Sequence, residues 1–130
     1  MAAFTPSNEG LQSLLDLFRA CQSADNAQHR AIQQQLNEFN VIPDYNSYLA
    51  FILSGLKDED GAVRQLAGLV LKNNVKEHWR TLQPGVQEYV REALLCSLGD
   101  PHKYIRTTVG SCITTVVGAR HRLPYTAQAP

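Results

Sequence analysis

Catalysis or metal binding in this 130-residue chain would have to come from four histidines, three cysteines and twelve acidic side chains. Their spacing argues against both. His29, His78, His102 and His121 are scattered, and no HExxH pattern, paired-cysteine spacing, glycine-rich phosphate loop or GxSxG elbow accompanies them. The carboxylates gather only in KDED, Lys57 to Asp60, which reads as a solvated turn. Cys21, Cys96 and Cys112 are odd in number, far apart and each set in an apolar helical pattern, so buried reduced thiols are expected rather than a disulfide framework or a zinc site. No enzyme, metal or cofactor is expected.

The chemistry that remains is recognition. In VRQLAGLVLKNNVKEHW, Val63 to Trp79, two adjacent asparagines interrupt an otherwise apolar helical pattern and are flanked by Lys72 and Lys76. Asparagine is a poor helix former because its amide competes for backbone hydrogen bonds. At about 100° per residue, Val63, Leu66, Ala67 and Val70 define a core face that includes Asn74, while Lys72, Lys76 and Gln65 point the other way. Asn74 is therefore predicted to be structural, held by backbone groups of an adjacent turn. The lysines are predicted to face a partner.

The elements that position these residues are helices. Apolar residues recur at steps of three and four, strand signals are nearly absent, and 44% apolar content is enough for one modest core. Ser7 or Asn8 can cap a first helix carrying Leu11, Leu14, Leu15 and Phe18. Asp25 can cap a second, with Ile32, Leu36 and Phe39 on one face. Pro43 suits the first turn of a third helix, through Tyr48, Leu49, Ile52 and Leu56. The NN helix is the fourth. A fifth starts near Pro84-Gly85 and stops at Gly99-Asp100, and a sixth runs from about Lys103 to Val117.

Six helices make three antiparallel pairs, and the pairs repeat. Asp58, Val63, Arg64 and Gly68 match Asp100, Ile105, Arg106 and Gly110 at one constant offset of 42. The aspartate of this pattern can cap the second helix of a pair, and the recurring arginines, Arg64 and Arg106, are predicted to form a ladder through aspartate between successive turns. Arg30, Ile32 and Leu36 precede Arg64, Leu66 and Val70 by 34, a looser first pair of the kind expected of a cap. A period near 40 to 47 marks a HEAT or armadillo solenoid. The predicted fold is all-α, a right-handed α-solenoid of three HEAT-type pairs over about 7–39, 43–80 and 84–118, with 119–130 a disordered tail.

Net charge excludes one class of partner and hints at another. Twelve basic residues balance twelve acidic ones, so the overall basic charge from which most nucleic-acid binders draw affinity is missing. Residues 1–65 carry 4 basic and 8 acidic side chains and residues 66–130 carry 8 and 4, a gradient that could orient a protein partner or be ordinary surface scatter. No apolar run approaches the roughly 18 residues that span a membrane, and MAAFTPSNEG resembles neither a signal peptide nor a transit segment, so an intracellular soluble chain is expected.

LVLKNNVKEHW, the preceding VRQLAG, the upstream IPDYNSYLAFIL and the later RTTVGSCITTVV resemble, in order and without large gaps over about residues 9–118, the amino-terminal region of the importin-β superfamily of nuclear transport receptors, in its transportin (karyopherin-β2) branch. The resemblance implies a superhelix of about twenty HEAT repeats, of which this chain holds three. It implies that this arm binds the GTP-loaded small GTPase Ran, in cytoplasm and nucleus. Cargo and nucleoporins would engage only through the missing remainder of a full-length receptor. The alternative is a generic HEAT scaffold for another protein, since fold alone does not fix function.

In such solenoids the second helix of each pair lines the concave surface. The same helical rotation places Arg30, Gln34 and Asn37 outward on the second helix, Gln65, Lys72 and Lys76 on the fourth, and Thr107, Ser111 and Thr114 on the sixth. This stripe is the expected Ran-binding face. GARHRLPYTAQAP departs from the family pattern, and its Arg120, Arg122, Pro124 and Tyr125 are similar to the basic Pro-Tyr signal such receptors read in cargo, a match short enough to arise by chance.

Overall fold

The computed structural model describes residues 4–23 and 25–121. They form six α-helices: α1 (Asn8–Cys21), α2 (Asn26–Phe39), α3 (Tyr45–Gly55), α4 (Gly61–His78), α5 (Pro84–Cys96) and α6 (Lys103–His121). A single 3-10 turn, Trp79–Thr81, follows α4, and no strand occurs among the described residues. The chain is an all-α helical-repeat solenoid.

Local chemistry sets the helix starts. The Ser7 hydroxyl accepts from the Gly10 amide and caps α1, and Asp25 and Gln28 form a reciprocal capping box at α2. Pro84 occupies the first turn of α5. Two expected starts move. Pro43 lies ahead of α3, because the chain still turns at that point: the Tyr45 amide bonds the Ile42 carbonyl and the helix begins at Tyr45. Asp60, not Asp58, caps α4 by accepting from the Ala62 amide, and Asp58 is exposed. Only in the third pair does the repeated aspartate cap the turn, where Asp100 accepts from the His102 amide at 3.0 Å.

Some ends move too. Gly55 closes α3, which leaves Leu56 as its cap, and α5 stops at Cys96, so Leu98 stays half exposed. α6 continues to His121, three residues into the segment assigned to the tail, and so takes in Arg120, while 122–130 with Arg122, Pro124 and Tyr125 of the basic Pro-Tyr run lies outside the described residues.

Each helix packs on its hairpin partner, and the pairs then stack: α3 against α5, and most extensively α4 against α6. The core is one cluster running from Leu14 and Phe18 through Leu49, Ile52, Leu53, Ala67 and Leu71 to Val90, Ile105 and Val109. Because α4 is gripped by both α3 and α6, its buried arc is wider and rotated from the predicted one. Val63, Ala67, Leu71 and Val75 are fully buried, together with Arg64 and Gly68, whereas Leu66, Val70 and Asn74 sit at the margin.

Two features explain the closeness of α4 and α6. At Gly68 a Cβ would stand 2.5 Å from the Thr108 Cγ2 and 3.1 Å from a Leu53 methyl, so glycine is required for the approach. Alongside, the Cys112 thiol donates to the Gly68 carbonyl at 3.3 Å. Gly110, the repeat equivalent of Gly68, has nothing within 4 Å of its would-be Cβ.

The first pair is attached differently. Its α1 buries Leu14, Leu15 and Phe18, but α2 buries only Ile32 and Leu36. At the offset of 34, the buried Ile32 and Leu36 fall opposite the half-buried Leu66 and Val70, so the first pair repeats the second only loosely. Arg30 is exposed and Arg64 is buried. Arg19 of α1, not α2, supplies the ionic link to the second pair, donating to both carboxylate oxygens of Glu59 at 3.3 and 2.5 Å.

Candidate functional site

Three of the residues singled out as structural anchor the site. Arg64 is 1% exposed and donates from Nη2 to Asp100 Oδ2 at 2.6 Å, and from Nε and Nη2 to the Leu53 carbonyl at 3.1 and 2.7 Å. One guanidinium thus ties the end of α3 and the start of α4 to the α5–α6 turn of the third pair. Lys57 reaches the same Asp100 oxygen at 3.4 Å from a half-exposed position. Burial alone would raise the Asp100 pKa, but the bonds from Arg64 and the His102 amide outweigh it and hold the carboxyl at about 2.

Arg106 departs from the ladder. Its Nη1 donates to the carbonyls of Asp100 and Pro101 at 2.8 and 3.1 Å, and no aspartate partners it among the described residues. It braces its own turn rather than a neighbouring pair.

Asn74 is half buried and its amide donates to Asn46 Oδ1 at 3.0 Å and Asn40 Oδ1 at 3.3 Å. The partners are side-chain amides, not backbone groups, because at this depth Asn46 at the start of α3 and Asn40 in the preceding turn present theirs to α4. Asn73 is exposed. The NN pair thus divides into one residue that joins helices and one that meets solvent.

The stripe residues lie at the surface or its edge. Arg30, Gln34 and Asn37 of α2, Lys76 of α4, and Thr107 and Thr114 of α6 are exposed, while Gln65, Lys72 and Ser111 are half buried. Lys72 is half buried, and its charge offsets part of the rise to about 11 that burial imposes on the Cys112 thiol. The Thr114 hydroxyl donates to the Gly110 carbonyl at 3.0 Å and the Asn37 side-chain Oδ1 accepts from the Gln33 amide at 3.1 Å, so both still offer one polar function outward.

Between α2 and α4 the surface opens into a groove of about 420 Å³ lined by Cys21, His29, Gln33, Gln65, Leu66 and Leu69, among others. Gln65 and Gln33 both line it, whereas Arg30 and Gln34 do not. The groove went unpredicted because it arises from the spacing of two helices, which no periodicity reports. Cys96 was expected to be buried and is exposed, since α5 ends there. No group of three or more metal-ligating side chains gathers among the described residues, and no described helix is long and apolar enough to cross a membrane.

Comparison with known proteins fits this geometry. The importin-beta N-terminal domain family matches residues 32–100, more than half of the chain. The chain is 44% identical over 111 residues to Transportin-1 of Mus musculus and of Homo sapiens, covering 85% of this chain and 12% of each relative. It is 38% identical over 115 residues to Transportin-1 of Oryza sativa subsp. japonica, covering 88% of this chain and 13% of that one. It therefore spans about an eighth of the length of the curated relatives it matches. The matched region and the 44% identity over most of its length assign the chain to the importin-β family, as a transportin-like stretch of its amino-terminal domain.

Proposed function

We propose that the chain is the amino-terminal arm of a transportin-like nuclear import receptor and binds GTP-loaded Ran across the face formed by its second helices, α2, α4 and α6. The observation that carries this reading is the 44% identity to Transportin-1 over most of the chain. It is supported by the polar and basic side chains that α2, α4 and α6 bring to or near the surface: Arg30, Gln34, Asn37, Gln65, Lys72, Lys76, Thr107, Ser111 and Thr114. Such a face suits a charged protein surface better than an apolar segment. In this reading the chain is a binding module with no chemistry of its own, at work in cytoplasm and nucleus. Cargo and nucleoporins engage a full-length receptor beyond these three pairs.

Capture of purified Ran in its GTP-loaded and GDP-loaded forms tests the proposal. GTP-selective capture is expected. Equal capture of both forms, or none, overturns it for this chain and leaves a general HEAT scaffold. Changing Lys72 and Lys76 to glutamate is expected to weaken GTP-form binding at least tenfold, and unchanged binding would move the contact off α4.

A further inference from the structure

In a solenoid each repeat touches only its neighbours. One short segment of this chain breaks that rule. Ahead of α1, the Phe4 ring packs edge-on to Tyr48 of α3 with centroids 5.1 Å apart, lies 6.3 Å from Phe51 of α3, and reaches Tyr89 of α5 at 5.1 Å. Three residues on, the Ser7 amide donates to the Tyr48 hydroxyl at 3.0 Å, and that hydroxyl donates to the Ser7 Oγ at 3.1 Å. The same Oγ caps α1 through the Gly10 amide. Glycine at 10 leaves room for these bonds, since a Cβ there would stand 2.9 Å from the Ser7 Oγ and 3.1 Å from the Tyr48 oxygen. The segment therefore joins the first pair to the second and third at once, on the side of the first helices.

We infer that Phe4–Ser7 is a latch that sets the curvature of the three pairs. Seated, the Phe4 ring bridges α3 and α5 and holds their spacing, and the Ser7–Tyr48 bonds fix α1 to the same place. Unseated, α3 and α5 lose a shared aromatic contact, and the second-helix face, whose α4 and α6 are packed through Gly68 and Thr108, becomes free to change shape. Phe4 is only half buried, and its seat consists of aromatic edges rather than a closed pocket. A latch of this kind can release without unfolding the core.

The test uses the whole chain with Phe4→Ala and Ser7→Ala, measuring amide hydrogen exchange, the labelling rate of the buried Cys112 thiol, and the denaturation midpoint. Phe4→Ala is expected to speed exchange in α5, and labelling of Cys112, several-fold beyond what the loss of global stability accounts for. Ser7→Ala, which removes the cap but leaves the ring, is expected to loosen the first turn of α1 without reaching α5. Unchanged α5 exchange, acceleration equal to the global loss, or the same pattern from both variants overturns the latch. Faster α5 exchange with unchanged Cys112 labelling overturns its link to the second-helix face.

Discussion

Arg64 and Asp100 form an ion pair at 2.6 Å, with side chains 1% and 0% exposed, that joins the second helix pair to the third. Both charges are out of water, so each depends on the other and on the Leu53 carbonyl and His102 amide for compensation.

Removing one partner should be costly. Asp100→Ala leaves a buried guanidinium with the Leu53 carbonyl as its remaining partner, and a loss of about 3–5 kcal/mol is expected in chemical denaturation. Lys57→Ala removes only a half-exposed contact and should cost under about 1 kcal/mol.

The same pair makes stability depend on acid. The folded Asp100 pKa, about 2, lies below the ordinary value of 3.8, so the stabilisation is complete by about pH 5, declines as pH falls through 3.8 and is mostly gone at pH 2. About 2 kcal/mol should be lost across that window. Denaturation midpoints measured from pH 5 to pH 2 check this, and Asp100→Asn should flatten that part of the profile.

Two glycines at one repeat position should respond oppositely. Gly68→Ala drives a methyl into Thr108 and should destabilise the fold by about 1–3 kcal/mol. Gly110→Ala meets open space and should be neutral, or stabilising by up to about 1 kcal/mol from helix propensity. Thermal denaturation of the two variants side by side would show the contrast.

The adjacent asparagines give a third pairing. Asn74→Ala strips the amide that Asn46, itself 8% exposed, depends on, and should cost about 1–2 kcal/mol. Asn73→Ala should change stability by less than about 0.5 kcal/mol, because Asn73 faces solvent. Equal losses for both would remove the distinction between them.

What the sequence disclosed follows from the range of the forces involved. The helices were legible because caps and periodicity act within a few residues: Ser7 and Asp25 announce α1 and α2 by themselves. The repeat was legible because Asp58–Gly68 and Asp100–Gly110 keep one spacing. Which aspartate Arg64 takes was not, since the bond spans 36 residues and depends on how pairs stack. The marginal position of Asn74 and Leu66 escaped for a related reason. A single-faced amphipathic pattern assumes one packing neighbour, and α4 has two large ones. Phe4 carried no local signal at all, because its meaning lies in Tyr48 and Tyr89, 44 and 85 positions away.

The contrast between Gly68 and Gln33 reaches furthest. Gln33 of α2 lines the open groove between α2 and α4, whereas Gly68 of α4 lets α6 approach to contact through Thr108. Glycine permits the close approach at the second of these junctions, and no glycine lines the groove at the first. The winding of these three pairs is therefore uneven: tight where glycine stands between neighbouring second helices and slack where larger side chains do.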